Sequence, residues 1–220
     1  SGFWGKTLML LDYSLYLVTD CQCLKNESLE RAVEQAILGG VTLVQLREKQ
    51  RDSKEFYQQA LRIKAICHQY HVPLLINDRV DIALAVEADG VHIGQSDLPA
   101  KVVRGILGKN KIMGVSARTV AQAQQAQADG ADYLGVGAMF ATTTKRDAKT
   151  VSITTLKEIR QAVNIPIVAI GGINTTTLPL LQKGLAQIKT CVDGVAVVSA
   201  ILAADDISLA SQRLKNQLKQ

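Results

Sequence analysis

Short apolar, β-branched runs alternate with longer amphipathic stretches along the whole chain, and this alternation constrains the fold more than any other feature. The runs cover residues 15–19, 41–47, 73–77, 90–93, 111–116, 133–136, 166–170 and 194–198. Each has the length and residue types of a buried strand. In one intervening stretch, Phe56, Ala60, Ile63 and Cys67 recur at i, i+4, i+7 and i+11, which is one face of a helix. Thr119-Val120-Ala121-Gln122 reads as a capping box opening another. Gly39-Gly40, Gly130 and Gly184 fall where helices are expected to end. Parallel strands need long crossovers, usually helical, so strand followed by helix about eight times predicts a parallel sheet. About eight such units in about 200 residues fit a closed ring better than an open doubly wound sheet. The predicted class is α/β, a (β/α)8 TIM barrel in a single domain. No Pro-, Gly- or Ser-rich linker divides the chain. Asp89-Gly90-Val91, Asp129-Gly130-Ala131 and Asp193-Gly194-Val195 resemble one another and read as shared turn chemistry at strand entries.

Composition narrows the partners. Of 220 residues 47% are apolar, ample for one large core, and 25 Lys+Arg against 20 Asp+Glu leave a net charge of +5. The cations are scattered (Lys6, Arg62, Lys109, Lys157, Lys219) rather than gathered into the stripe a nucleic acid would require. With aromatic residues at 4%, few side chains are available for stacking bases. No segment approaches the length of a membrane span. Four cysteines are too few for a disulfide scaffold, so free thiols and the cytosol are expected, with no nucleic acid or membrane as partner. The chain starts at Ser1 rather than Met. Residues 1–12 read as an N-terminal extension or cloning remnant and residues 13–220 as the catalytic domain.

In such a barrel, chemistry gathers at the C-terminal ends of the strands. After the second run come Gln45, Leu46, Arg47, Glu48 and Lys49. Period two puts Gln45, Arg47 and Lys49 on one side with Val41 and Leu43, leaving Val44 and Leu46 to pack under helices. Two cations and an amide at the barrel mouth suit a phosphate or diphosphate, although an ordinary charged loop has the same composition. Asn77-Asp78 ends the third run and Asp97 follows the fourth. Two carboxylates on neighbouring strands suit Mg²⁺ with substrate phosphates, while helix capping is their commoner use. Ser116 ends the fifth run, and Thr142, Thr143, Thr144, Lys145 and Arg146 follow the sixth. Gly171-Gly172 and Val198-Ser199 occupy the strand ends where these barrels commonly form a phosphate cup. His92 lies within a strand, where a satisfied core imidazole is the simpler reading. The inventory suggests a diphosphate site with a candidate metal pair and a monophosphate site. An enzyme joining a diphosphate-activated molecule to a monophosphate partner fits both. With few general bases available, ionisation of a carbon–oxygen bond is more plausible than proton abstraction.

Leu15-Tyr16-Leu17-Val18-Thr19-Asp20, Gln45-Leu46-Arg47-Glu48-Lys49, Ile76-Asn77-Asp78-Arg79, the run from Asp89 to Asp97, Thr142-Thr143-Thr144-Lys145 and Gly171-Gly172-Ile173 occur in an order that resembles the thiamine phosphate synthase family. The resemblance spans nearly the whole chain from Tyr13. It implies an enzyme that couples hydroxymethylpyrimidine diphosphate to a thiazole phosphate, two small-molecule substrates, with release of diphosphate. By the family pattern Gln45, Leu46, Arg47, Glu48, Lys49, Asn77, Ser116 and Lys145 bind the pyrimidine diphosphate. Arg47, Lys49, Ser116 and Lys145 are expected to act in catalysis, and Asp78 and Asp97 to hold Mg²⁺. Thr142, Thr143, Thr144, Gly172, Val198 and Ser199 are expected to bind the thiazole phosphate. The implied mechanism is dissociative, through a pyrimidine carbocation. Where the family usually has Pro before its Thr-rich run, this chain has Ala141, and the loop is expected to be less restricted before binding. A thiazole tautomerase-like relative on the same fold is the alternative; it would need a proton-transfer residue and no metal.

Overall fold

A computed structural model describes residues 11–142 and 149–220. Eight parallel strands close into a barrel in sequential order: β1 (Leu15–Val18), β2 (Leu43–Leu46), β3 (Leu74–Asn77), β4 (Gly90–Ile93), β5 (Ile112–Ala117), β6 (Tyr133–Val136), β7 (Ile167–Ile170) and β8 (Gly194–Val197). Each lies within or beside a predicted run. The outer ring consists of α1 (Leu29–Leu38), α2 (Ser53–Gln69), α3 (Val80–Ala85), α4 (Ala100–Leu107), α5 (Val120–Ala128), α6 (Ile153–Ala162), α7 (Thr177–Gln187), the short α8 (Ser199–Leu202) and α9 (Ile207–Leu218). Among the described residues no helix is long and apolar enough to cross a membrane.

Alternation along the strands sorts two cores. Val44, Leu46, Val91, Val115 and Leu134 face outward and pack under helices, where the predicted α2 stripe of Phe56, Ala60, Ile63 and Cys67 is fully buried. Tyr16, Leu43, Leu75, Ile112, Tyr133, Val168 and Ala196 fill the barrel itself. Leu43 and Gln45 take the inward side as expected. Val41 joins the outer core instead, because the strand begins only at Leu43 and alternation does not extend to it.

The barrel floor is stitched by a fourfold pattern. The residue immediately before each even-numbered strand accepts a backbone N–H from the start of the preceding strand. Leu15 N donates to Thr42 Oγ1 at 3.1 Å, and Leu74 N donates to Asp89, Met113 N to Asp132 and Ile167 N to Asp193, all at 2.8 Å. The three aspartates of this set also meet a basic side chain each: Asp89 meets His68 at 2.9 Å, Asp132 meets Arg104 at 2.6 Å and Asp193 meets Arg160 at 3.2 Å. Asp89 and Asp193 are therefore the strand-entry residues the sequence suggested. The third member is Asp132, not Asp129, which instead caps the end of α5 before Gly130 turns the chain at φ +97°. Gly184 does not end a helix either. It lies inside α7, where the Ile153 side chain occupies the space a side chain would need. At Thr119 the expected cap is present, with Gln122 N donating to Thr119 Oγ1 at 3.1 Å. The Gln122 side chain reaches one residue further back, to Arg118 N.

Candidate active site

The C-terminal ends of all eight strands open into one cavity of about 310 Å³, a size suited to a small ligand. Gln45, Arg47, Lys49, Asn77, Asp78 and Asp97 line one arc of it, from β2 to β4, and Ser116 continues the arc from β5. Thr142, Gly172, Val198 and Ser199 line the facing arc, at the ends of β6, β7 and β8. Leu46 and Glu48 are placed otherwise. Leu46 is fully buried in the outer core, as its alternation with Gln45 and Arg47 requires. Glu48 turns its carboxylate to Arg51, Cys21 and its own loop. Neither side chain borders the cavity. Thr143, Thr144 and Lys145 lie outside the described residues.

The acidic and basic groups are held by short local devices. Arg47 N donates to the fully buried Thr19 Oγ1 at 3.0 Å, which ties the end of β2 to β1. Among the described residues no carboxylate lies within ion-pair distance of the Arg47 guanidinium, so its charge is available to an anion. Lys49 donates to Asp78. Asp78 sits at φ +61°, a left-handed conformation that Asp tolerates better than most residues, and its N–H donates to His92 O at 2.9 Å. Gly94 N donates to Asp97 Oδ2 at 2.7 Å. The two carboxylates are neighbours and diverge in acidity. Burial alone would raise both. Bonds from Asp97 and Lys49 outweigh it and hold Asp78 below the usual carboxylate range. Burial and the neighbouring Asp78 push Asp97 up. Two neighbouring carboxylates lining the cavity, one of them paired with Lys49, match the donor set of a hard divalent cation that completes its shell with water and phosphate. Among the described residues no cluster of three or more acidic, His or Cys side chains could form an all-protein metal cage.

The facing arc is made of backbone. Gly171 (φ +103°) and Gly172 (φ +65°) turn the chain after β7. A side chain at Gly172 would press on Ala141 O and Phe140 Cβ, each at 2.8 Å. Thr177 Oγ1 donates to Gly172 O at 2.7 Å, while Asn174 Oδ1 accepts from Thr176 N and Thr177 N, so the turn is fixed before any ligand arrives.

Beneath both arcs runs a polar chain that the sequence reading did not assemble. It passes from Asn77 through Gln45, Tyr16, Tyr133 and His92 to Ser116, with contacts of 2.6–2.8 Å. His92 is hydrogen-bonded through both ring nitrogens, as a core histidine should be, yet it also borders the cavity. Arg118 adds another cation to the lining. One sequence signal pointed to the chain: Gly114 and Gly135 occupy inward positions on β5 and β6. A side chain at Gly114 would collide with the Tyr133 ring, and one at Gly135 would approach His92 Cε1 to 3.1 Å.

The profile of a family described as thiamine monophosphate synthase matches residues 15–201. A thiamine-phosphate synthase of Clostridium tetani is 58% identical over 204 residues, 93% of this chain and 95% of that protein. One from Ruminiclostridium cellulolyticum is 57% identical over 204 residues, 93% of this chain and 94% of that protein. Among solved structures, the thiamine phosphate pyrophosphorylase of Pyrococcus furiosus superposes with a TM-score of 0.84 at 34% identity, covering 95% of this chain and 96% of its own.

Proposed function

Because the chain belongs to the thiamine monophosphate synthase family, a family of transferases whose activity it carries, we propose that the two arcs of its cavity divide the two substrates. The diphosphate of hydroxymethylpyrimidine diphosphate lies against Arg47, Lys49 and the Ser116 hydroxyl, with Gln45 and Asn77 on the pyrimidine side. The thiazole phosphate lies against Gly172, Val198, Ser199 and Thr142. Lys145, Thr143 and Thr144 belong to the same reading through the family pattern alone. Asp78 and Asp97 hold Mg²⁺, which supplies positive charge against the diphosphate oxygens. The observation that carries the reading is the separation of chemistries around the ring. Cations and a carboxylate pair occupy β2–β4, and a preformed glycine turn occupies β7–β8.

The bond between the pyrimidine methylene carbon and the diphosphate oxygen breaks, and the electron pair leaves with the diphosphate. Arg47 and Lys49 oppose the negative charge that grows there. Preorganised charge of this kind is commonly the largest catalytic contribution, with one donor worth about 10²–10³ in rate. The thiazole nitrogen, held in line by its phosphate on the opposite arc, then captures the cationic methylene. No side chain needs to abstract a proton in this sequence, consistent with a lining that offers few general bases. An endpoint assay with both phosphorylated precursors, with Mg²⁺ or with a chelator, tests the proposal. Thiamine phosphate should form only with the metal. Equal yield under chelation would remove the metal role, and isomerised thiazole phosphate without coupling would remove the reaction.

A further inference from the structure

We propose that Tyr16, Tyr133 and His92 are positioning residues: a buried proton-ordered relay beneath the cavity that turns the Ser116 hydroxyl hydrogen toward the pyrimidine diphosphate. The argument rests on the substrate assignment above and on hydrogen-bond directions. Asn77 Nδ2 donates to Gln45 Oε1 at 2.8 Å, and Gln45 Nε2 donates to Tyr16 Oη at 2.8 Å. Tyr16 and Tyr133 hydroxyls are 2.6 Å apart. Tyr133 Oη is 2.7 Å from His92 Nδ1, and His92 Nε2 is 2.8 Å from Ser116 Oγ. Each phenol carries one proton. Tyr16, accepting from Gln45, gives its proton to Tyr133. Tyr133, accepting from Tyr16, gives its own to His92 Nδ1. An imidazole that accepts at Nδ1 carries its proton at Nε2 and donates it to Ser116 Oγ. Ser116 then has its hydrogen left for the cavity, where a diphosphate needs donors. The reverse order would point the Ser116 hydrogen down at His92 and offer lone pairs to an anion.

Burial makes the ordering firm. Tyr16 and Tyr133 are at most 1% exposed, Gln45 3% and His92 8%, so water does not compete within the phenol pair at the centre of the chain, and a broken link there leaves a costly orphan. The barrel makes room for this arrangement through Gly114 under the Tyr133 ring and Gly135 beside His92. A relay reached only by giving up side chains on two strands is a specific feature of the interior, distinct from the residues that touch substrate.

The chain has three histidines, so ¹⁵N spectra of the labelled, unliganded protein resolve the His92 tautomer directly. The expected pattern is protonated Nε2 and bare Nδ1 in the wild type, with loss of that single-tautomer pattern in Tyr133→Phe. In steady-state assays Tyr133→Phe should lower kcat/KM for the pyrimidine diphosphate about tenfold and leave KM for the thiazole phosphate unchanged. A merely structural defect would lower kcat without this split. The double variant Tyr133→Phe/Ser116→Ala should be no slower than Ser116→Ala alone, since the relay acts through that hydroxyl. A wild-type spectrum with protonated Nδ1 overturns the proposal even if no variant folds, as do additive penalties in the double variant. Because the tautomer is read without substrate, failure of the coupling reaction would strike the functional reading and leave this test standing.

Discussion

Asp132 is the most buried of the three acids that stitch the barrel floor, and its removal gives a worked test of that pattern. In Asp132→Ala, Met113 N loses its acceptor at 2.8 Å in a residue with no exposure. An orphaned buried amide costs about 1–3 kcal/mol. The charge-assisted bond to Arg104 at 2.6 Å is also lost, between side chains 12% and 17% exposed; such a bond contributes about 1.5–3 kcal/mol. Arg104 keeps the carbonyls of Gly108, Lys111 and Gly130, so no uncompensated guanidinium adds to the loss. The total is about 4 kcal/mol, which for a chain of this size lowers Tm by about 8–16 °C at about 2–4 °C per kcal/mol. Thermal unfolding followed by circular dichroism at pH 7 reads this directly. Asp193→Ala should cost less, because its ion pair with Arg160 is longer, at 3.2 Å, and its carboxylate is 46% exposed. A Tm loss under about 2 °C for Asp132→Ala, or the reverse ranking, would refute the idea that these acids secure strand register.

Other outcomes follow from the same structure. Gly172→Ala places a left-handed φ and a clash on the glycine turn; at about 1–2 kcal/mol for the backbone alone, KM for the thiazole phosphate should rise about tenfold, and an unchanged KM would detach this turn from the phosphate. Asp78→Asn keeps a residue type that accepts the left-handed backbone while removing the charge, so the Mg²⁺ needed for half-maximal rate should rise at least tenfold; an unshifted metal titration would end the role given to Asp78. Burial raises the phenols of Tyr13, Tyr16 and Tyr133. Raised folded values mean their contribution is complete below the unfolded pKa of about 10 and declines above it, by about 4 kcal/mol per pH unit for three phenols. Denaturation midpoints should therefore fall steeply above about pH 10, and a flat profile there would contradict the buried trio. Burial also pushes the Cys67 thiol up to about 12, so a thiol reagent at pH 8 should label exposed Cys191 in the native protein and Cys67 only after unfolding.

Much of the architecture was legible because it depends on local periodicity. All eight strands, the α2 stripe and the Thr119 cap follow from side-chain spacing, which the chain displays without being folded. The positions of Arg47, Asp78, Asp97 and Gly172 at strand ends were legible too, since in a parallel barrel every strand delivers its C-terminal end to the same rim. Spacing failed where a residue's role was set by a partner distant in sequence. Gly184 has the composition of a helix end but serves Ile153 of another helix. Asp129 precedes a glycine like its counterparts, yet register selects Asp132.

The sequence thus determined the order of elements and the residue types available at the rim, because both are properties of neighbours along the chain. Only the closed barrel decided which inward side chains meet across its interior. Tyr16 and Tyr133 are 117 positions apart and their hydroxyls 2.6 Å apart, a contact that exists because ring closure and strand stagger set them side by side. The direction in which Ser116 offers its proton is a property of that enclosed space, and no local pattern encodes it.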